Sequence, residues 1–473
     1  MSLRLYNTLT RNKDEFTPVK PGKVGIYSCG PTVYGPPHIG NYSSFMFADV
    51  LKRYLGYRGY KVIHVMNITD VDDKTIRESK KAGKTLEEFT AEYTDYFMNG
   101  MEKLNCIHAD VYPRATNHID DMAKLVKTLM DKGHAYESGS SVYYRVSSFK
   151  DYGKLAKLDV EGLQSGGSGR MDNDEYDRES VRDFALWKGW SDDDGDVYWE
   201  TPVGKGRPGW HIECSAMSMK YLGKTFDIHT GGIDLIFPHH ENEIAQSEAA
   251  SGKKFVNYWL HRAFVNFEGE KMAKSLGNIY TLEGLADSPG GIPAYRYLIT
   301  TGHYRAPVFF SHENMKAAAA GLNGLKEFIE RLKIYGTSEK SGADDEDEGK
   351  TTIEKTRSEF VSHMDDDLNT PRAIAAVHDM ARKINKLIDS NALSLASRQE
   401  ALAFMDEVNS VLGIFFDPEK RTLTDEQKAL IEERSKARSE KNWAEADRIR
   451  DILAEEGIQV KDTPDGVRVT FLN

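Results

Sequence analysis

Cysteine is scarce in this 473-residue chain: Cys29, Cys106 and Cys214 are the only three. They are too few and too scattered for a disulfide framework, so a reducing compartment is expected and the thiols become candidates for metal or catalytic use. Long apolar runs are missing too. No stretch approaches the roughly 18 residues that a membrane-spanning helix needs, and the opening MSLRLYNTLTRNKDEF has no apolar secretory core. A cytoplasmic protein is expected, with no membrane partner. Basic charge is in deficit, with 62 Lys and Arg against 74 Asp and Glu and a net charge of −12. This excludes a surface coated for nucleic acid, though not a local basic face. No internal repeat is visible.

What is present reads as soluble and globular, with 40% hydrophobic and 29% charged residues. The length calls for two to four domains. KVGIYSC (23–29) reads as a buried strand and KVIHVMNIT (61–69) as a second one. Between them SSFMFADVLKRYL (43–55) reads as a helix with Phe47, Leu51, Tyr54 and Leu55 in one apolar stripe. This spacing predicts a βαβ unit in a parallel sheet, with its ligand at the carboxyl ends of the strands. Further strands are expected at TFDIHTGG (225–232) and HRAFVNF (261–267).

Residues 109–205 hold an amphipathic helix (Ile119, Met122, Val126, Leu129, stopped by Gly133) and then a polar Gly- and Asp-rich region. The simplest organisation is an α/β domain in two halves, 1–108 and 206–312, split by this insertion. A helical bundle follows at 313–420, interrupted by the acidic loop TSEKSGADDEDEGK (337–350). A charged helical unit at 421–473 ends in a hairpin with an Asp-Gly turn signal.

Two segments suit anions. GPTVYGPPHIGN (30–41) joins the first strand to the first helix, where backbone N–H groups and a positive helix end are available. His38 and Asn41 there are donors three residues apart, and Gly40 permits close approach. GEKMAKSLGN (269–278) places Lys271 and Lys274 three apart on a glycine-led loop, suited to neutralising triphosphate oxygens.

FPHHENEIAQS (237–247) offers metal donors. It is not the metalloprotease His-Glu-x-x-His, because position 244 is Ile. Either His239 with Glu243 (i, i+4) or His240 with Glu243 (i, i+3) shares a helix face. Two ligands leave a zinc site incomplete, and Cys29 and Cys214 are the candidate thiolates. Cys106 reads as a buried apolar side chain.

HIGN (38–41) and KMAKS (271–275) resemble the His-Ile-Gly-His and Lys-Met-Ser-Lys-Ser signatures of class I aminoacyl-tRNA synthetases. Ordered matches over nearly the whole chain resemble the cysteinyl-tRNA synthetases in particular. They are LYNTLTR (5–11), YSCGPTVYGPPHIGN (27–41), NITDVDDK (67–74), DFALWK (183–188), GWHIECSAM (209–217), FPHHENEIAQS, MDDDLNTP (364–371) and ADRIRDILAEEGIQVKDTPDG (446–466).

The resemblance implies a Rossmann-like catalytic domain split by an inserted connective domain, an all-α tRNA-binding bundle and a small C-terminal anticodon-binding domain. It implies zinc, one per chain, on Cys29, Cys214, His239 and Glu243, which decides between the two histidines and makes the substrate thiolate an added ligand. It further implies that His38, Gly40, Asn41, Lys271 and Lys274 serve ATP, which arrives with Mg²⁺, and that Thr69, Trp210 and Asp234 line the cysteine and adenylate pocket. The implied partners are L-cysteine, ATP and tRNA(Cys), the implied reaction runs through cysteinyl-adenylate, and a monomer is expected. Zinc has a chemical purpose here. An apolar pocket separates near-isosteres such as cysteine and serine by only a few kcal/mol, whereas zinc favours a soft thiolate over an alcohol.

Three departures stand out. Asn41 replaces the second histidine of the first signature, Ala273 replaces the serine of the second, and Val469 stands where the family often has tryptophan. Arg434, Arg438, Lys441 and Arg448 recur at helical spacing near the end, a face that can follow a phosphate backbone although glutamates interleave it. The rival readings are a ligase joining cysteine to an amino sugar, which generally lacks a terminal module like 421–473, and a zinc hydrolase. A tRNA-binding module without catalysis would need neither Lys274 nor a metal.

Overall fold

The computed structural model describes residues 2–158, 183–267, 270–271, 280–336, 348–418, 424–440, 442–456, 458–463 and 466–471. It forms two compact units, Met1–Phe416 and Asp417–Asn473. Among the described residues no helix is long and apolar enough to cross a membrane.

The first unit opens on a hairpin, β1 (Arg4–Asn7) with β2 (Asn12–Glu15). The expected βαβ unit follows: β3 (Lys23–Ser28), α1 (Ile39–Tyr57) and β4 (Lys61–Met66), with β3 and β4 parallel. α1 begins ahead of its predicted apolar stripe because a capping box starts it. His38 Nδ1 accepts from Asn41 N, and Asn41 Oδ1 accepts from His38 N. α2 (Asp73–Ala82) and α3 (Leu86–Lys103) also open on capping boxes, from Asp72 and Thr85. α4 (Ile119–Asp131) buries the predicted Ile119, Met122, Val126 and Leu129. Gly133, at φ +79°, turns the chain out of it.

The stretch read as merely polar contains a five-stranded antiparallel sheet. β5 (Ala135–Ser138), β6 (Ser141–Tyr144), β7 (Phe184–Gly189), β8 (Trp199–Thr201) and β9 (Gly204–Pro208) lie in the order β5-β6-β7-β9-β8. Strands this short give no readable alternation. α5 (Trp210–Leu222), β10 (Phe226–Gly232), α6 (Glu241–Ser251) and β11 (Val256–Arg262) return the chain to the first sheet, whose order is β11-β10-β3-β4, all parallel.

The one strand expected at 261–267 is two. Beyond Arg262 the N–H of Ala263 turns to Tyr304 O, and β12 (Val265–Phe267) joins β13 (Glu270–Lys271) and β14 (Val308–Phe310) in a separate sheet.

α7 (Gly291–Thr301) precedes β14, and α8 (His312–Ile334), α9 (Glu348–Asp365), α10 (Thr370–Asp389) and α11 (Leu395–Leu412) complete the unit. Most of the predicted acidic loop lies outside the described residues. Leu322, Phe328, Ile353, Phe360 and Phe404 of these helices share one apolar cluster with Leu51, Tyr54 and Leu55 of α1. Three successive aspartates then fasten the bundle to the sheet. Asp365 accepts from Tyr54 Oη at 2.7 Å and pairs with Arg58, and Asp366 pairs with Arg4 at 2.8 Å and Lys13 at 2.9 Å. Asp367 accepts from Tyr6 N, Tyr304 Oη and Arg305 Nε.

The second unit comprises α12 (Asp425–Ser439), α13 (Trp443–Glu455) and the hairpin β15 (Ile458–Thr463) with β16 (Gly466–Phe471). Ile449, Leu453, Ile458 and Val460 form its core. The predicted basic face changes character here. Arg434 is buried, Arg438 stacks over the Trp443 ring at 5.4 Å, Arg448 is held by Glu445 at 2.6 Å, and Lys441 lies outside the described residues.

Candidate metal centre and nucleotide pocket

Four elements of the parallel sheet and its helices deliver donors to one point. Cys29 is the first residue beyond β3, Cys214 sits in the first turns of α5, His239 lies just ahead of α6, and Glu243 is in its first turn. One ligand atom from each lies within 4.8 Å of all the others. Cys29 Sγ is 3.8 Å from Cys214 Sγ and 3.7 Å from Glu243 Oε1, and His239 Nε2 is 3.1 Å from Glu243 Oε1.

This approach is fixed by local sequence. Asn67, just beyond β4, accepts from Gly30 N and donates to Thr69 Oγ1. A Cβ at Gly30 would sit 1.7 Å from Asn67 O, so only glycine can follow Cys29 there.

The electrostatics fit a cation. Burial opposes ionisation of Glu243, but His229 and His239 outweigh it and hold the carboxyl at about 2. Burial likewise opposes charge on His239, yet Cys214 and Glu243 raise it to about 10. Cys214, against its own burial, is drawn down to about 6 by hydrogen bonds with Cys29 and His239. Cys29 is pushed up, first by burial and then by Cys214. Two sulfurs, one imidazole and one carboxylate make a donor set compatible with a four-coordinate zinc ion.

The ligand set implied by the resemblance passes over His240, and neither Glu241 nor His229 enters it. All three are fully buried. Cys29, His229, His240 and Glu243 form a second group whose donor atoms lie within 4.8 Å of one another, with His240 Nε2 3.2 Å from Cys29 Sγ and His229 Nε2 3.0 Å from Glu243 Oε2. His240 Nδ1 continues to His261 Nε2 at 2.8 Å, and His261 Nδ1 to Thr8 Oγ1 at 2.7 Å. Glu241 accepts the backbone N–H groups of Gly153, Leu155 and Ala156. The available signal for His229 was a polar residue inside an otherwise buried strand.

A cavity of about 490 Å³ opens beside Cys29 at the carboxyl end of the sheet. Gly30, His38, Gly40, Asn41, Trp210 and Asp234 are among its walls. The indole of Trp210 stacks on His239 at 4.1 Å, so metal donors and cavity share that wall. Because His38 Nδ1 accepts from Asn41 N, the neutral ring carries its proton on Nε2, as an N–H donor. Asn41 spends its carbonyl oxygen on the cap, which leaves the amide N–H₂ for other partners. Thr69 is buried with its hydroxyl donating to Glu213 Oε2 at 2.9 Å. Lys274 and the side chain of Lys271 lie outside the described residues.

The family model described as the tRNA synthetases class I (C) catalytic domain matches residues 15–320. A DALR domain matches 359–417, and a cysteinyl-tRNA ligase anticodon binding domain matches 420–469. Cysteine–tRNA ligase of Brachyspira hyodysenteriae is 45% identical over 98% of both chains. That of Methanosarcina mazei is 44% identical over 99% of this chain and 98% of its own. The chain belongs to the cysteine–tRNA ligase family.

As a member of that family it is a class I aminoacyl-tRNA synthetase. Solved structures agree on the fold. Methionyl-tRNA synthetase of Mycobacterium tuberculosis, in complex with methionyl-adenylate, superposes with a TM-score of 0.60 at 16% identity, covering 83% of this chain and 90% of that one. LeuRS of Agrobacterium radiobacter K84, in a ternary complex with tRNA and LeuAMS, gives 0.61 at 12%, covering 84% and 85%. The cysteine–tRNA ligase chain thus keeps the class I architecture at sequence distances where few side chains are shared.

Proposed function

We propose that this ligase joins L-cysteine to tRNA(Cys) through cysteinyl-adenylate, and that it selects cysteine with a zinc ion held by Cys29, Cys214, His239 and Glu243. The observation that carries the reading is the convergence of these four donors on one point beside a cavity that Cys29 lines together with His38, Gly40 and Asn41 from the amino end of α1. A zinc ion held there supplies a Lewis acid that prefers sulfur to oxygen, so the choice against serine is made on binding, without a later correction.

The chain's own residues do the rest. His38 Nε2–H, the amide of Asn41 and the amino end of α1 face the cavity, while Gly40 keeps it open to a phosphate. With Lys271 and Lys274 they stabilise the charge that collects on ATP oxygens, with Mg²⁺, as the cysteine carboxylate attacks the α-phosphate. Trp210 and Asp234 line the amino-acid end, and Thr69, which is not among the cavity walls, acts through its hydrogen bond to Glu213. In the second step a ribose hydroxyl of the tRNA 3′ end attacks the activated carbonyl. Most of the rate arises from positioning.

The division into catalytic halves 1–108 and 206–312, insertion 109–205, tRNA-binding bundle 313–420 and anticodon-binding unit 421–473 belongs to the same proposal. So do cytoplasmic location and a monomeric state. The test is cysteine-dependent exchange of pyrophosphate into ATP, followed by transfer of labelled cysteine to tRNA. Exchange with charging is expected. Absence of exchange contradicts the reading, and exchange without charging favours the amino-sugar ligase.

A further inference from the structure

Glu243 meets two histidines with two different oxygens. Its Oε1 lies 3.1 Å from His239 Nε2, within the donor set proposed for zinc, and its Oε2 lies 3.0 Å from His229 Nε2. Cys29 is shared in the same way, with its Sγ 3.8 Å from Cys214 Sγ and 3.2 Å from His240 Nε2. Cys29, His229, His240 and Glu243 therefore make a second donor set, one ligand atom of each lying within 4.8 Å of the others. His229, His240 and Glu243 are fully buried. Cys29 is half-buried and borders the large cavity, which gives an ion a way in.

The far nitrogens of both rings are engaged, as those of metal-bound imidazoles usually are. His229 Nδ1 lies 3.3 Å from Thr230 O. A carbonyl only accepts, so the ring carries a proton on Nδ1, and in the neutral ring the lone pair of Nε2 faces the Glu243 carboxylate. Two acceptors that close need a positive charge between them, either a second proton on the ring or a metal ion. His240 Nδ1 is 2.8 Å from His261 Nε2, and His261 Nδ1 is 2.7 Å from Thr8 Oγ1. This chain holds the His240 ring with Nε2 turned to Cys29. A proton serves the His229–Glu243 pair alone, whereas a metal ion serves all four donors. Donors on one tetrahedral zinc ion stand roughly 3.3–3.8 Å apart, which small side-chain rotations provide here.

We propose that His229 and His240, with Cys29 and Glu243 as bridges, hold a second divalent ion when zinc is in excess. One thiolate, two imidazoles and a carboxylate suit Zn²⁺. The first set has two thiolates and the second only one, so the first fills alone at one equivalent and the second fills later. The inference rests on the proposed zinc site, which supplies both bridges. It makes the metal content of the protein depend on zinc supply, and the shared donors couple the second ion to the one that takes the substrate sulfur.

Two measurements on the full-length protein test it. The protein is stripped of metal, dialysed against zinc from one equivalent to a large excess and analysed for bound metal, and crystals grown at both extremes are examined for anomalous scattering at the zinc edge. One zinc per chain is expected at one equivalent and two in excess. The second anomalous peak is expected between His229 and His240, about 3.5–4 Å from the first. Loss of even an outer partner weakens metal affinity by about 10–100-fold, so His240→Gln, which removes a ligand of the second set only, should hold one zinc at any excess. A wild-type protein that stays at one zinc, a second zinc that survives in His240→Gln, or a second peak elsewhere overturns the proposal. Absence of any zinc at one equivalent overturns the proposed zinc site along with it. Should His240→Gln fail to fold, the anomalous map of the unmodified protein decides by itself.

Discussion

The Sγ atoms of Cys29 and Cys214 lie 3.8 Å apart, although 185 residues separate them in sequence. Either thiol alone is an ordinary cysteine, half-buried at position 29 and buried at 214; together with His239 and Glu243 they make a donor set whose charge calls for a divalent ion. The purified full-length protein is expected to carry one zinc per chain by elemental analysis. Cys29→Ser and Cys214→Ser should each lose the zinc and, with it, cysteine activation. Full activity in a zinc-free variant contradicts the metal's role.

Glu241 and Glu243 stand two residues apart on α6, and their variants should fail differently. Glu243→Gln removes a metal donor, so zinc content should fall while the fold persists. Glu241→Ala strands three interior N–H groups, at about 1–3 kcal/mol each. It should lower the unfolding free energy by on the order of 3 kcal/mol or more and keep the zinc. Urea titration and elemental analysis of the two variants separate the cases.

His38 both caps α1 and faces the nucleotide cavity, and these roles can be divided. Asn is a good cap, so His38→Asn should leave stability within about 0.5 kcal/mol while losing the ring donor, with kcat down about 10²–10³-fold. His38→Ala should lose the cap as well, roughly 1 kcal/mol further. Equal kcat in wild type and His38→Asn removes His38 from the chemistry.

Acid stability should report on His64, outside the metal centre. Burial, then the nearby Lys52, holds its imidazole at about 3, and its Nε2 lies 2.8 Å from Ser28 Oγ. The unfolded chain takes up a proton near 6.5 and the folded one does not. Stability is therefore unaffected by this group above about pH 6.5 and is lost as pH falls from there towards 3, with a slope of about 1.4 kcal/mol per pH unit for one proton. His64→Gln should show a shallower fall over that window in urea titrations at stepped pH. An unchanged slope contradicts a neutral buried His64.

The sequence carried the βαβ unit at its start well, because β3, α1 and β4 each have a clear period and a clear stop. It carried the antiparallel sheet at 135–208 poorly: strands of three to six residues, joined through residue pairs far apart, leave no local pattern. The site divides in the same way. Local spacing brought His239 and Glu243 to attention but could not choose between His239 and His240. Both are buried, and each lies in a donor group that includes Cys29 and Glu243. His229 and His261 escaped notice because a histidine inside an apolar strand looks like any buried polar residue until its neighbours are known. The tie made by Asp365, Asp366 and Asp367 was likewise hidden, since their partners lie more than 60 residues away.

The central claim is that the cavity selects cysteine by its sulfur. It is tested most directly by pyrophosphate exchange with cysteine and with serine, on zinc-loaded protein and on the same protein stripped of metal and reloaded. The account predicts exchange with cysteine, at least about 10⁴-fold weaker exchange with serine, loss of the cysteine signal on stripping, and its return with zinc. Exchange with serine at comparable rates, or cysteine exchange that survives the loss of zinc, would contradict it.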